Sequence, residues 1–340
     1  MNIELLCWNM EWMNDLFDGD GNFREDNFKP QHDKKTTVLE RRQNLAGVIN
    51  ELQPDVLVVV EGPNRTRELQ LFFDTDVSGV WKTYIQRTKG AQQCIGIAVR
   101  VDTGKFDADN PVTNFDTANL QAFSDFELDN EKDGITEIYR FERKPAYAEM
   151  RLSNGERFRV LGLHLKSKGI FSMLEWSKWW EKSISNRRKI FATAVHLRTH
   201  FIEPYLTQAT TKNIPLIVCG DINDGPGYDT AEKRIMGSGI EKLMGDIWKP
   251  QFILGNALYD TYQKLDISTT RYADPIFNFN YNYHYVWIDH ILYSQNRKGW
   301  TANGRIIKDM ENGKIWSQYP HTSDHQPVAV TLNLDENDTN

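Results

Sequence analysis

Apolar residues in this chain come in short runs, and most runs end on an acidic or amide side chain. Residues 3–8 (IELLCW) predict a buried strand that gives way to Asn9, Met10 and Glu11. Residues 12–37 are polar and rich in Gly and Asp, so they predict a loop. From Val38 to Leu52 the spacing turns helical. Leu45, Val48, Ile49 and Leu52 share one face, and Glu40, Arg41, Arg42 and Glu51 fall on the water side. Pro54-Asp55 ends that helix, and Val56 to Val60 predict a β-branched strand that delivers Glu61.

Residues 94–100 (CIGIAVR) predict another buried strand, whereas 102–143 are acidic, weakly patterned and read as a surface excursion. AYAEMRL and RFRVLGLHL flank Ser153-Asn154-Gly155-Glu156, an Asn-Gly hairpin signal that places His164 at the strand exit. The LHLKSK stretch leads through a Trp-rich segment (Trp176, Trp179, Trp180) to a helix over 186–206. Ile190, Ala194, Leu197 and Phe201 form its apolar stripe. Ile214 to Cys219 predict a strand that ends in Gly220-Asp221-Ile222-Asn223. The stretch 228–284 is aromatic and loop-rich, 285–293 and 326–333 predict closing strands, and 335–340 a frayed tail. Hairpins mixed with loosely alternating helices disfavour a purely parallel sheet. The pattern fits an α/β (α+β) arrangement of two sheets packed face to face with helices outside. With no linker in view, residues 1–334 read as one domain.

Composition adds little to this picture, except in its charge. Of the 340 residues, 40% are hydrophobic, enough for a substantial core. The net charge of −7 opposes nucleic-acid binding through bulk electrostatics. Setting aside Glu11, Glu61, Asp221, Asp289 and Asp324 leaves 42 acidic against 40 basic residues, so much of the excess is local. Cys7, Cys94 and Cys219 sit in apolar runs and read as buried thiols rather than a disulfide framework. The N-terminus shows no leader pattern and no run has membrane-spanning length, so a cytoplasmic protein without membrane insertion is expected.

The acidic strand ends carry the chemistry. Carboxylates and amides that close buried strands cost free energy unless a cation gathers them, and hard divalent ions take such oxygens. Local alternatives stand beside this reading: a loop cap for Asn9 and Glu11, a salt bridge from Glu61 to Arg65 or Arg67, a simple turn at Asp221–Asn223, a core histidine at His164. Asp289, inside the apolar strand VWIDHIL, needs a partner, and His325 is the candidate. His284, His290 and His321 read as structural or rim residues.

In this order WNMEW, PDVLVVVE, LGLHLKSK, GDIND, WIDHILYS and TSDHQPV resemble the endonuclease/exonuclease/phosphatase superfamily, from Asn9 to Pro327. The resemblance implies a four-layer αββα sandwich and a Mg²⁺- or Mn²⁺-dependent phosphodiester hydrolase. It implies Asn9, Glu11, Glu61 and Asp324 as the metal set. It further implies that Asp221 orients or deprotonates water, that Asn223 holds a phosphate oxygen, that His325, paired with Asp289, contacts the scissile phosphate, and that His164 is an acid for the leaving oxygen. Lys166, Lys168 and Arg188 are candidate phosphate contacts. HLKSK is similar to bacterial nucleases of the superfamily, which favours a nucleic-acid substrate, DNA before RNA. The alternative is a phosphodiesterase or phosphatase for a lipid headgroup or small phosphorylated molecule.

Overall fold

The computed structural model describes residues 1–32, 35–88, 90, 92–129, 134–170, 175–226, 232–235, 237–258, 268–273, 283–297, 300–308 and 315–334. Strand β1 (Asn2–Asn9) shows why the architecture is layered. Ile3, Leu5 and Cys7 point to one apolar core, while Leu6 and Trp8 point to another. A strand that is apolar on both faces must be covered on both.

The first sheet runs β11 (Trp300–Ile306), β12 (Val328–Leu334), β1, β2 (Val56–Gly62), β4 (Cys94–Arg100) and β3 (Trp81–Gln86). The second runs β9 (Leu254–Asn256), β10 (Asp289–Ser294), β8 (Leu216–Asp221), β7 (Arg157–His164), β6 (Ala146–Arg151) and β5 (Val112–Phe115). Each sheet has one parallel pair at its centre, β1 with β2 and β7 with β8, and its other pairs are antiparallel. Helices α1 (Val38–Leu52) and α2 (Thr66–Asp76) cover the outside of the first sheet through Leu45, Val48, Phe72 and Phe73. Helix α3 (Trp179–Leu197) covers the second through Ile190, Ala194 and Leu197. The expected four-layer αββα sandwich of two mixed sheets is thus the observed fold.

Helix α1 begins at Thr37, whose hydroxyl accepts from Glu40 N at 3.3 Å while the Glu40 carboxylate accepts from Thr37 N at 2.8 Å. This reciprocal cap fixes the helix start. The Asn-Gly hairpin forms as β6 and β7, antiparallel from Ala146↔Gly162 to Arg151↔Arg157. The helix expected over 186–206 starts earlier, at Trp179, and runs through a π-helical turn (Arg198–Ile202) into Glu203–Thr207.

Four expectations need correction. Arg41 and Arg42 do not face water; both are buried, and Arg42 pairs with Asp76 at 2.9 Å. The stretch 102–143 is not a simple surface excursion, because it supplies edge strand β5 and buries Phe106, Phe123, Phe126 and Phe141. The loop at 12–37 contains a 3₁₀ turn, Met13–Leu16, that buries Met13, Leu16 and Phe17. The strand expected over 285–293 is two strands, Tyr283–Val286 and β10. Thr269 Oγ1 accepts from both Ile288 N and Asp289 N at 3.1 Å, which takes these amides out of a ladder. The Trp176 side chain, residues 228–231, 236, 259–267 and 274–282 of the aromatic stretch, and the tail at 335–340 lie outside the described residues. Among the described residues no helix is long and apolar enough to cross a membrane.

The two sheets approach closely at Gly162, where a Cβ would lie 2.9 Å from Val58 Cγ1 and 3.0 Å from Ile95 Cγ2. Gly162→Val is expected to cost about 1–3 kcal/mol through overpacking. The cost should be read as a lower urea midpoint at unchanged slope. An unchanged midpoint would mean that the sheets part easily at this point.

Candidate active site

The parallel pairs decide where the functional side chains meet. Strands β1, β2, β7 and β8 end at Asn9, Gly62 just past Glu61, His164 and Asp221. Asp221 is level with His164 on one side and with Asp289, the first residue of β10, on the other. Ser323, Asp324 and His325 enter from the segment before β12, which is antiparallel to β1. One rim of the sandwich therefore collects every strand-end residue singled out from the sequence.

The two sheets are stitched together at this rim. Asn9 Nδ2 donates to Asp221 Oδ2 at 3.1 Å and lies 3.4 Å from Glu61 Oε1. Asn9 Oδ1 accepts from Glu11 N at 3.0 Å, and Ser323 Oγ donates to Asn9 O at 2.6 Å. Glu61 Oε2 accepts from Trp12 N at 2.9 Å and from the Gln93 amide. Gln93 Oε1 in turn accepts from Arg143. Glu11 Oε2 accepts from Asp324 N at 3.1 Å, joining two segments 313 residues apart. The Asp324 side chain itself is 55% exposed.

His325 Nδ1 and Asp289 Oδ2 are 2.8 Å apart, leaving Nε2 directed at Asp221 Oδ2 at 3.9 Å. His164 Nε2 stands 3.8 Å from Glu61 Oε1 and 3.7 Å from Asp221 Oδ2. Its Nδ1 has no partner among the described residues. Asn223 N donates to Asp221 Oδ1 at 2.9 Å, and its side-chain amide donates to Leu165 O at 3.2 Å.

The electrostatics follow from crowding. Burial, then the Asp289 and Glu61 charges, push Asp221 up to about 7, against the pull of His325. Burial alone would depress His325; Asp289 chiefly, then Asp221 and Asp324, hold it well above its ordinary value. His164 moves the other way: burial, then Arg143, His325 and Lys166, hold it well below its ordinary value. Burial and neighbouring charge thus bias the two imidazoles in opposite directions, His325 toward its protonated form and His164 toward its neutral form.

The donors suit a hard divalent cation. They are carboxylate and amide oxygens, and among the described residues the one hydrogen bond to Glu61 Oε1 is the long one from Asn9. The surplus negative charge that burdens Asp221 is what such an ion would relieve. Glu61, Glu11, Asn9 and Asp324 are the residues that could hold it. A tighter group, Asp221, Asp289 and His325, has one potential ligand atom each within 4.8 Å of one another. Its direct Asp289–His325 hydrogen bond suits an orienting pair better than an ion cage.

The basic candidates scatter. Lys166 lies 3.4 Å from Glu142. Lys168 does not present its charge to the rim; it is bound between buried Asp224 and Glu232. Those partners stand 56 and 64 residues further along the chain, beyond the reach of a local reading of LKSK. Arg188 is half-buried on α3. His290 Nε2 donates to Asp224 O at 2.8 Å and its Nδ1 accepts from Asn256 Nδ2 at 3.1 Å, as a structural residue does.

Sequence reasoning missed Arg41, Gln93 and Arg143. Arg41 is fully buried, and its Nη2 donates to Met10 O at 3.1 Å, to Glu11 O and to Thr322 O at 3.5 Å. It clasps the two segments that carry Glu11 and Asp324. A helix pattern shows only that Arg41 is charged, not that carbonyls await it. The signal available was an Arg-Arg pair directly beside an apolar face.

Arg41→Met leaves these carbonyls without their donor and should cost about 1–3 kcal/mol. It should also weaken Mn²⁺ binding by about 10-fold, as loss of an outer supporting contact does. Calorimetric titration checks this, and equal affinity would reject the clasp. For Asp221, a folded pKa above the ordinary value near 4 means the folded state holds that proton more tightly than the unfolded chain. Its contribution is therefore lost as pH rises from about 4 to about 7 in chelator. Asp221→Asn should gain stability relative to wild type across that same window, by urea unfolding. A constant difference would contradict the crowding.

No protein-family model matches the chain, and no curated protein does. Solved structures do. The endonuclease/exonuclease/phosphatase of Bacteroides vulgatus aligns with a TM-score of 0.53 at 12% identity, covering 98% of this chain and 100% of that one. A Bacteroides thetaiotaomicron protein of the same family gives 0.52 at 15%, covering 99% and 96%. D. rerio TDP2 complexed with single strand DNA product gives 0.50 at 12%, covering 98% and 99%. At such identities the likeness is one of fold, and the chain has the fold of the endonuclease/exonuclease/phosphatase proteins.

Proposed function

We propose that the chain is a divalent-metal-dependent phosphodiester hydrolase, a nuclease acting on DNA in preference to RNA. The observation that carries this reading is the meeting, on one buried rim, of Glu61, Asp221 and the Asp289-supported His325. The fold shared with TDP2, a protein seen with a single strand DNA product, supports nucleic acid over a lipid headgroup.

Hydrolysis adds negative charge to an already anionic phosphate. A divalent cation bound by Glu61, Glu11, Asn9 and Asp324 would supply the charge neutralisation on the phosphate and leaving oxygens. Asp221 orients the attacking water and accepts its proton. Asp289 fixes the ring of His325 through Nδ1, so that Nε2 donates to a non-bridging phosphate oxygen. His164, which burial shifts toward its neutral form, donates a hydrogen bond to the leaving oxygen rather than acting as the full acid that the resemblance implied. Asn223 reaches a phosphate oxygen once its amide turns from Leu165 O. Water attacks phosphorus and the bond to the leaving oxygen breaks on the opposite side, so positioning supplies much of the rate.

Protein stripped with chelator should be inactive on plasmid DNA, single-stranded DNA and RNA, and Mg²⁺ or Mn²⁺ should restore cleavage. Asp221→Asn and His325→Ala should each lower turnover by at least about 10²-fold while remaining folded. Full hydrolysis in excess chelator would refute the metal requirement. Turnover on sphingomyelin or inositol phosphates, with none on nucleic acid, would move the substrate assignment.

A further inference from the structure

Beside Asp324 and His325 opens a cavity of about 880 Å³, large enough for a nucleotide-sized ligand. The rim contributes Glu11, Ser323, Asp324 and His325 to its wall. One side comes from the segment after β1, which contributes His32 and Lys35, and the other from a two-stranded ribbon, Thr270–Ala273 with Tyr283–Val286. The ribbon is anchored to the rim: Thr270 Oγ1 donates to Asp324 O at 2.7 Å, and Gln326 N donates to Thr269 O at 2.7 Å. The Gln326–Thr269 backbone bond continues as a bridge between Thr270 and His325, so the ribbon is tied directly to the segment that carries the imidazole.

Arg271 and Tyr285 stand directly opposite one another across the ribbon, so their side chains share a face, and both line the cavity. Tyr285 is 62% exposed. On the facing wall His32 is held in place, stacked on Trp12 at 3.6 Å and paired with Asp15 at 2.7 Å. Among the described lining residues the carboxylates belong to Glu11 and Asp324, and the lining also carries Lys35, Arg271, His32 and Tyr285. That combination recognises a phosphate and an unstacked base together.

Resting on the hydrolase reading above, we propose that this ribbon face is the subsite for the nucleotide flanking the scissile phosphate of a single-stranded nucleic acid. Arg271 and Lys35 take its phosphate, and Tyr285 stacks on its base. A base within a duplex has both faces covered by its neighbours, so the Tyr285 ring selects single strands.

Fluorescence anisotropy of a short labelled oligothymidylate in excess chelator reads this subsite without cleavage. Arg271→Ala and Tyr285→Ala should each weaken binding by about 10-fold, and Tyr285→Phe should restore it. A duplex of equal length should bind more weakly and ignore Tyr285→Ala. Wild-type affinity in both alanine variants, or no binding by the wild type, would overturn the proposal. Bis(p-nitrophenyl) phosphate, which has no flanking nucleotide, should be hydrolysed with Mg²⁺ equally by wild type and both variants. Failure of the wild type on this ester would refute the hydrolase reading, while the anisotropy would still decide the subsite.

Discussion

The hydrogen bond from Asn9 Nδ2 to Asp221 Oδ2 joins the two sheets at the place where their charges gather. It is buried, it spans 212 residues of chain, and the surrounding geometry depends on it. Asn9 ends β1 and Asp221 ends β8, each a member of its sheet's central parallel pair. Parallel neighbours end on the same side, so Glu61 arrives beside Asn9 and His164 beside Asp221. Packing the sheets face to face then brings four strand ends into one neighbourhood. An antiparallel centre would have sent half of them to the opposite rim.

This arrangement explains which parts of the site were legible in the sequence. Glu61 and Asp289 declared themselves because a charge at the end of, or inside, an apolar strand needs a partner. Asp289 finds it in His325 at 2.8 Å. The hairpin that delivers His164 was visible in Asn154-Gly155, and helix α1 in its spacing. Other features depend on tertiary partners that leave no local trace. Arg41 reads as a solvated helix residue until Met10, Glu11 and Thr322 supply carbonyls to it. Lys168 reads as a basic loop residue until Asp224 and Glu232 enclose it. Helix α2 and strands β3 and β11 have weaker patterns, and the break before β10 is imposed by Thr269, which a run of apolar residues cannot reveal.

The rim also concentrates unusual backbone. Among the described residues the non-glycine positions with positive φ are Glu11, Trp12, Gln53, Glu61, Gln93, Asn223 and His321. Gln53 caps helix α1; the others belong to the rim or to the cavity beside it. Each such residue costs about 1–3 kcal/mol and persists only where its surroundings over-determine it. Here the over-determination can be named. Glu61 is held by Trp12 N and Gln93, Glu11 by Asn9 and Asp324, and Asn223 by Asp221 and Leu165.

Strain and charge crowding therefore have a common origin. The positive φ of Glu61 falls at a bulge in β2, where the register against β4 shifts between Val59 and Gly62. The buried sheets on either side supply the stability that lets these turns and the crowded carboxylates persist. Arg41, one layer behind, contributes positive charge without entering the rim, because it reaches the backbone of the loops rather than their side chains. Glu11 and Asp324 line the open cavity in front of it. Support from behind and charge in front are then separate tasks, performed by different residues.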